Sequence, residues 1–258
     1  MSQVALVTGA GGGIGAAVCT RLASLGYQMV VADVNGEAAQ EVASSTGGIA
    51  VTADVSRLED NRAMVAQALE AFGHLDLLVL NAGVRSEQSP DMPLDVALYR
   101  QINGINVDGV VFGIDAALPA MSDGGSIVVT ASLAGLGPEQ ANPVYAMGKS
   151  AVLAYVRAMA GALAQRGISI NALCPGFTDT AILGISKKLM RKQGFPLLTP
   201  DDVADAFQTV LTKAGTGEVW TLVPGRPAAP FTFPAVPTTL LPDGSAVELR
   251  PFLAPKER

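Results

Sequence analysis

Val4-Ala5-Leu6-Val7-Thr8-Gly9-Ala10-Gly11-Gly12-Gly13-Ile14-Gly15 is the stretch whose reading decides the fold. Its four leading apolar residues form a short strand, and the glycines follow at once. A helical pattern then runs through Ala16, Val18, Leu22 and Ala23 to Gly26, a natural C-terminal cap. A second strand, Tyr27 to Ala32, ends at Asp33, about 20 residues past the glycines, where a dinucleotide-binding strand–turn–helix–strand unit carries its ribose-binding acid. Glycines let the backbone approach a pyrophosphate, and a helix N-terminus offers free N–H groups with a partial positive charge. Asp33 accepts hydrogen bonds from ribose hydroxyls and repels a 2′-phosphate.

Working outward, the alternation continues to about residue 223. Helices are expected over about 36–45, 58–72, 94–121, 144–166 and 201–212, with strands over 49–53, 75–80, 126–131, 168–174 and 218–223. Strands alternating with helices imply an α/β fold with a doubly wound parallel sheet, covered on both faces. In such sheets ligands bind beyond the carboxyl ends of the strands. The marked groups all follow strands: Gly9, Asp33, Asp54, Asn81, Ser132 and Pro175. That shared position predicts one site.

Bulk composition limits the alternatives. A chain of 258 residues, 49% apolar, suits one large domain with a substantial core. The net charge of −6 argues against nucleic acid and against an anionic membrane surface, both of which demand a basic footprint. The apolar stretch 105–121 is interrupted by Asp108 and Asp115, so no transmembrane run is read. Cys19 and Cys174 suit a reducing compartment, and the first residues lack the basic start of a secretory signal; a cytoplasmic protein is expected. No metal-ligand set is assigned.

Tyr145-Ala146-Met147-Gly148-Lys149 carries the chemistry. Positions four apart share a helix face, so Tyr145 and Lys149 point the same way. An unperturbed phenol, with a pKa of about 10, is a poor base at neutrality, and a neighbouring cation lowers that value. The pair is therefore expected to move protons.

Taken together these motifs resemble the short-chain dehydrogenase/reductase family over residues 3 to about 223, in its NAD-preferring form. Thr8-Gly9 through Gly13-Ile14-Gly15 matches the family's cofactor glycine motif; Asn81-Ala82-Gly83 matches its sheet-stabilising motif; Asn106, Ser132, Tyr145 and Lys149 match its catalytic set; and Pro175-Gly176-Phe177-Thr178-Asp179-Thr180 resembles its nicotinamide segment. The resemblance implies a Rossmann fold and NAD bound by Gly9, Gly12, Gly13, Ile14, Gly15, Asp33, Val34, Asp54, Val55, Asn81, Ala82, Gly83, Tyr145, Lys149, Pro175, Gly176, Phe177, Thr178 and Thr180. It implies that Tyr145 is the acid–base for oxidation of a secondary alcohol to a ketone, that Lys149 lowers its pKa, that Ser132 holds the substrate oxygen, and that Asn106 holds a water leading from Lys149 to solvent. Asn103 is the rival for that last role; Val107-Asp108-Gly109 favours Asn106. The same residues serve a carbonyl reductase in reverse, and a catalytically silent NAD-binding sensor or scaffold is the alternative outside enzymes. Leu80, Ala131 and the end of the last strand, Val223-Pro224-Gly225-Arg226-Pro227, depart from the family pattern.

NAD rather than NADP is expected because Ala32-Asp33-Val34-Asn35 contains no base and Gly12 is bare where NADP-preferring relatives often carry one. Ser132, Leu133, Gln140, Tyr145 and Phe177 are the expected substrate contacts, with Pro138 a further wall; so apolar a set suits an alicyclic or steroid-like alcohol or ketone. Residues 181–198 stand where relatives carry a lid: Ile182, Leu183, Leu189 and Met190 are candidates to face the pocket, while Lys187, Lys188, Arg191 and Lys192 read as a solvated face. Arg85, Glu139 and His74 read as surface or capping groups. Residues 224–258 hold eight of the sixteen prolines and form a separate arm, anchored by Phe231, Phe233 and Phe252. It either packs on a neighbouring subunit or over the active site, or hangs free. A homodimer or homotetramer is expected, joined through the two long helices, where Ala146, Ala151, Ala154 and Ala158 permit close approach.

Overall fold

A computed structural model describes residues 2–85, 91–237 and 239–245. Strands β1 (Val4–Thr8), β2 (Gln28–Asp33), β3 (Ile49–Thr52), β4 (Leu75–Leu80), β5 (Met121–Thr130), β6 (Ser169–Pro175), β7 (Val219–Leu222) and β8 (Ala229–Pro230) form one sheet in the order β3-β2-β1-β4-β5-β6-β7-β8. Neighbours are parallel as far as β7, and β8 is antiparallel to it. This is the expected doubly wound, single-domain Rossmann architecture.

Strands β1 and β4 read as largely apolar runs because both their faces are buried. Side-chain alternation divides each run between two cores. In β1, Val4 and Leu6 join one core while Ala5 and Val7 join the other; in β4, Leu78 and Leu80 oppose Leu77 and Val79 in the same way. The helices are α1 (Gly13–Ser24), α2 (Gly36–Thr46), α3 (Leu58–Phe72), α4 (Val96–Asn103), α5 (Gly109–Ala117), α6 (Pro143–Leu163), α7 (Gly184–Lys192) and α8 (Pro200–Lys213). The first core backs onto α3, α5 and α6, the second onto α1, α2 and α8.

Winding reverses between β1 and β4, where one crossover leads outward to β2 and the next runs the other way. That switch opens a crevice beyond the strands' carboxyl ends.

The helix expected over 94–121 is divided. Asp95 starts α4 by accepting from the N–H groups of Ala97 (2.9 Å) and Leu98 (3.0 Å), a π-helical turn spans Gly104–Asp108, and α5 ends at Ala117. Close packing sits at the division: a Cβ on Gly109 would lie 2.8 Å from Val55 Cγ2. Residues 118–120 form a turn, and Met121 starts β5.

The start of the arm lies on the chain's own sheet edge. Phe231 N–H donates to Val219 O (2.7 Å), and Phe233 reaches α6, where the Arg157 guanidinium lies 3.9 Å from its ring centroid. The arm's third anchor, Phe252, lies outside the described residues. No helix among the described residues is long and apolar enough to cross a membrane.

Candidate active site

Beyond the carboxyl ends of β1, β2, β4, β5 and β6 runs a cavity of about 820 Å³. Its first end is the glycine turn. Gly9 has φ +61°, and a Cβ there would fall 2.7 Å from Ala82 Cα, so glycine alone lets β1 and β4 turn side by side. Gly9, Gly12, Gly13 and Ile14 line the cavity, whereas Gly15 does not; a Cβ on Gly15 would lie 2.2 Å from Gly9 O, so its part is packing within the turn. Asp33 is clamped by backbone: Oδ2 accepts from Gly11 N–H (2.9 Å) and Oδ1 from Asn35 N–H (2.9 Å). Beside it, Asp54 Oδ1 accepts from the Ser56 hydroxyl (2.7 Å). Val34 and Val55 complete this end.

The middle is fixed by Asn81. Its amide donates to the carbonyls of Thr8 (3.2 Å) and Gly9 (3.0 Å), and its oxygen accepts from the Thr130 hydroxyl (3.0 Å), tying β1, β4 and β5 together. Ala82 and Gly83 follow along the wall.

The far end gathers Ser132, Tyr145 and Lys149, with Pro175, Gly176, Phe177, Thr178 and Thr180 closing the β6 side. Ser132 starts a 3-10 turn, its Oγ accepting from Ala134 N–H (3.2 Å). Lys149 is 3% exposed; its Nζ donates to Thr130 O (2.8 Å) and lies 5.8 Å from the centre of the Tyr145 ring. Burial pushes the amine down to about 8. The Tyr145 phenol moves the other way: burial raises it above its ordinary value, and the adjacent Ser132 hydroxyl and the Arg85 charge pull it part of the way back. The expectation that Lys149 sets a depressed tyrosine pKa is therefore corrected. Lys149 is committed to Thr130, and desolvation dominates at the phenol. Beneath the group sits the fully buried Cys174, its thiol pushed up to about 12 by desolvation.

Other expected positions separate. Asn106 is fully buried in the π-helical turn behind the cavity, its side chain bonded both ways to Val84: it accepts from N–H (2.8 Å) and donates to O (2.7 Å). Gln140 is exposed and outside the lining, because the chain leaves the cavity after Glu139. Leu133 and Phe177 do line it. Ile182 and Leu183 face inward, but Leu189 is 57% exposed on α7. Two of the four cations there, Lys187 and Arg191, pair with Asp179, and those bonds hold its carboxyl below the usual range.

The sequence missed three features. Arg85 and Glu139, read as surface groups, line the reactive end. The Thr130 carbonyl, which anchors Lys149, leaves no sequence signal because any residue supplies it. His74 does act as a capping group, with Nδ1 at 3.0 Å from Phe72 O and Nε2 at 3.2 Å from Asp76.

The residues present fit a dinucleotide. The N-terminus of α1 has no side-chain cap and no acid in its first turn, and a Cβ on Gly12 would meet nothing within 4 Å, so the turn opens onto the cavity.

A family model described as short chain dehydrogenase matches residues 3–189. The chain is a short-chain dehydrogenase/reductase. This dehydrogenase/reductase is 36% identical over 221 residues to cyclohexanol dehydrogenase from Acinetobacter sp. (strain SE19), which covers 82% of this chain and 88% of that one. Among solved structures it superimposes with TM-score 0.79 on 3-ketoacyl-(acyl-carrier-protein) reductase from Brucella melitensis, complexed with NADH, at 32% identity over 87% of this chain and 98% of the other. A short-chain dehydrogenase from Burkholderia cenocepacia J2315 in complex with NADP superimposes equally well, with TM-score 0.79 at 31% identity over 85% and 96% of the two chains. Members of this oxidoreductase family thus use nicotinamide cofactors, of either kind.

Proposed function

We propose that this short-chain dehydrogenase/reductase is an NAD-dependent dehydrogenase of apolar secondary alcohols. The observation that carries the reading is the convergence of Ser132, Tyr145 and Lys149 at one end of a cavity whose other end presents Asp33 and Asp54. With a secondary alcohol in place, Ser132 hydrogen-bonds the carbinol oxygen and fixes its distance to Tyr145. The Tyr145 oxygen takes the hydroxyl proton as the carbonyl forms. A bound nicotinamide supplies the acceptor for the hydride that leaves the same carbon. Lys149 holds a positive charge beside the phenol and the ribose site, and Asn106 joins it to a proton path toward solvent.

Support for NAD comes from the charges. Among the described residues the cavity-lining cations, Arg85 and Lys149, both stand at the reactive end, so the adenosine end pairs two carboxylates with no described base. A 2′-phosphate would meet Asp33 and no counter-charge. The similarity to cyclohexanol dehydrogenase and the apolar walls Leu133, Pro138 and Phe177 support an alicyclic skeleton. Calorimetric titration with NAD and NADP, followed by NADH absorbance over a panel of secondary alcohols, tests the reading. Tighter NADP binding overturns the role of Asp33, and absence of turnover across the panel overturns the reaction.

The same residues serve the reverse direction, reduction of a ketone. In that direction the neutral Tyr145 phenol gives its proton to the forming alcohol oxygen while a bound NADH supplies the hydride. We further infer a cytoplasmic homo-oligomer, a dimer or tetramer. Ala151, Ala154 and Ala158 stand exposed along α6, and light scattering at the monomer mass would count against it.

A further inference from the structure

We propose that Arg85 and Glu139 set substrate specificity by holding a second hydroxyl of the substrate, so that the preferred substrate is an alicyclic diol rather than a simple secondary alcohol or a hydroxy acid. The proposal rests on the secondary-alcohol reading above.

Both side chains line the part of the cavity that contains Ser132 and Tyr145. Both charges act on the Tyr145 phenol, with opposite sign. Neither side chain makes an ion pair or hydrogen bond with any described residue. The cations nearby differ: Lys149 is spent on Thr130, and Lys187 and Arg191 are spent on Asp179. Nor are Arg85 and Glu139 paired with each other.

The chemistry of the two groups selects what they can hold. A guanidinium only donates hydrogen bonds, and a carboxylate only accepts them. A substrate carboxylate would be drawn by Arg85 and repelled by Glu139, and an ammonium the reverse. A hydroxyl accepts from one and donates to the other, carries no charge, and satisfies both. Leu133, Pro138 and Ile182 around the pair leave the carbon skeleton in apolar surroundings. A charge without a partner among the described residues is also a means of discrimination. A substrate lacking the hydroxyl strips water from both groups and returns nothing, and such sites reject the incomplete substrate strongly.

The test compares kcat/KM for cyclohexanol, cis- and trans-cyclohexane-1,2-diol and 2-hydroxycyclohexanecarboxylate, with NAD, in the wild type, Arg85→Leu and Glu139→Gln. In the wild type one diol is expected to exceed cyclohexanol by about tenfold or more. In both variants that ratio falls toward one. Because Glu139→Gln preserves shape, it carries the test if Arg85→Leu does not fold. Cyclohexanol turned over as well as either diol, a preference for the hydroxy acid, or a diol preference unchanged in both variants overturns this inference alone. Turnover of none of the four overturns the alcohol reading with it.

Discussion

The two ends of the cavity are built differently. At the glycine-turn end most polar groups find partners a few residues away: Asp33 takes the N–H of Asn35, Asp54 takes Ser56, and Asn35 caps α2 through Ala38, the exception being the bond from Gly11 N–H to Asp33 across 22 residues. At the reactive end partners lie far along the chain. Lys149 donates to Thr130 at a separation of 19 residues, and Thr130 donates to Asn81 at 49. Local turns make the first end cheap to form, and its polar groups stay near water. The second end exists only once β4, β5 and α6 have packed, and there desolvation shifts the phenol, the thiol and the amine together. Binding geometry can be delegated to local turns, whereas proton chemistry needs groups held in strained ionisation by the whole fold.

That contrast predicts a division between chemistry and binding. Tyr145→Phe should lower kcat by about 10²- to 10⁴-fold while changing the dissociation constant for NAD less than about threefold, because the lost group acts in proton transfer and not in the turn. Stopped-flow absorbance and fluorescence titration read the two quantities. Equal losses in both would show that the ends are not separable. Because burial raises the Tyr145 pKa, alcohol oxidation in the wild type should climb as pH rises above neutrality, while ketone reduction should hold until pH passes the ordinary tyrosine range.

Within the glycine-turn end the contrast can be sharpened between neighbours. A Cβ on Gly15 would press to 2.2 Å on Gly9 O, a backbone atom that cannot rotate aside. Gly15→Ala should destabilise by about 3 kcal/mol in urea unfolding. Gly12 sits at φ −178°, which any residue adopts, and its Cβ would meet nothing within 4 Å. Gly12→Ala should keep stability within about 0.5 kcal/mol and instead weaken NAD, since the methyl enters the cavity. Equal destabilisation by both would break the division between packing and binding glycines.

The same difference explains how much was legible in the sequence. Glycine turn, Asp33 and the strand-end positions could be read because turn chemistry and strand periodicity are local signals. The strands Val4–Thr8 and Leu75–Leu80 were evident as apolar runs, since both their faces are buried. The division of the helix at Gly104–Asp108 was not: it answers to the close approach of Gly109 to Val55, which no helical period records. Arg85 and Glu139 looked like surface charges because nothing in their own segments places them beside Tyr145. Gln140 was expected in the wall in place of its neighbour because the turn before α6 decides which side chain faces in. The ionisation of Lys149 depended on its burial, and the Tyr-Lys spacing gives only its direction along the helix.

The buried amine gives a test with a definite sign. Lys149 has a folded pKa of about 8, below its value of 10.5 when free. Below pH 8 both states carry the charge, and burial opposes folding in full. Between pH 8 and 10.5 the folded chain releases the proton while the unfolded chain keeps it, so stability gains with pH. Relative to Lys149→Met, wild-type stability should therefore rise by about 3 kcal/mol over that window, and change little on either side. The buried thiol of Cys19, pushed up to about 12, is common to both proteins and cancels. Urea unfolding at several pH values measures the difference; a flat difference would mean that the amine is solvated and the reactive end is not desolvated as described.

The smallest effect belongs to the glycine-turn end and tests whether it is as local as it looks. Asn35 accepts from Ala38 N–H at 3.2 Å and so caps α2, while its own backbone N–H holds Asp33. Asn35→Ala removes the cap and keeps the backbone bond, so it should cost about 1 kcal/mol of stability, and Asn35→Asp should restore most of it. Affinity for NAD should hardly move, because Asp33 is still clamped by Gly11 and by residue 35, whatever its side chain. A loss of NAD affinity larger than the loss of stability would mean that the cap and the ribose site act as one unit, and the contrast between a locally built end and a fold-built end would fail at its simplest point.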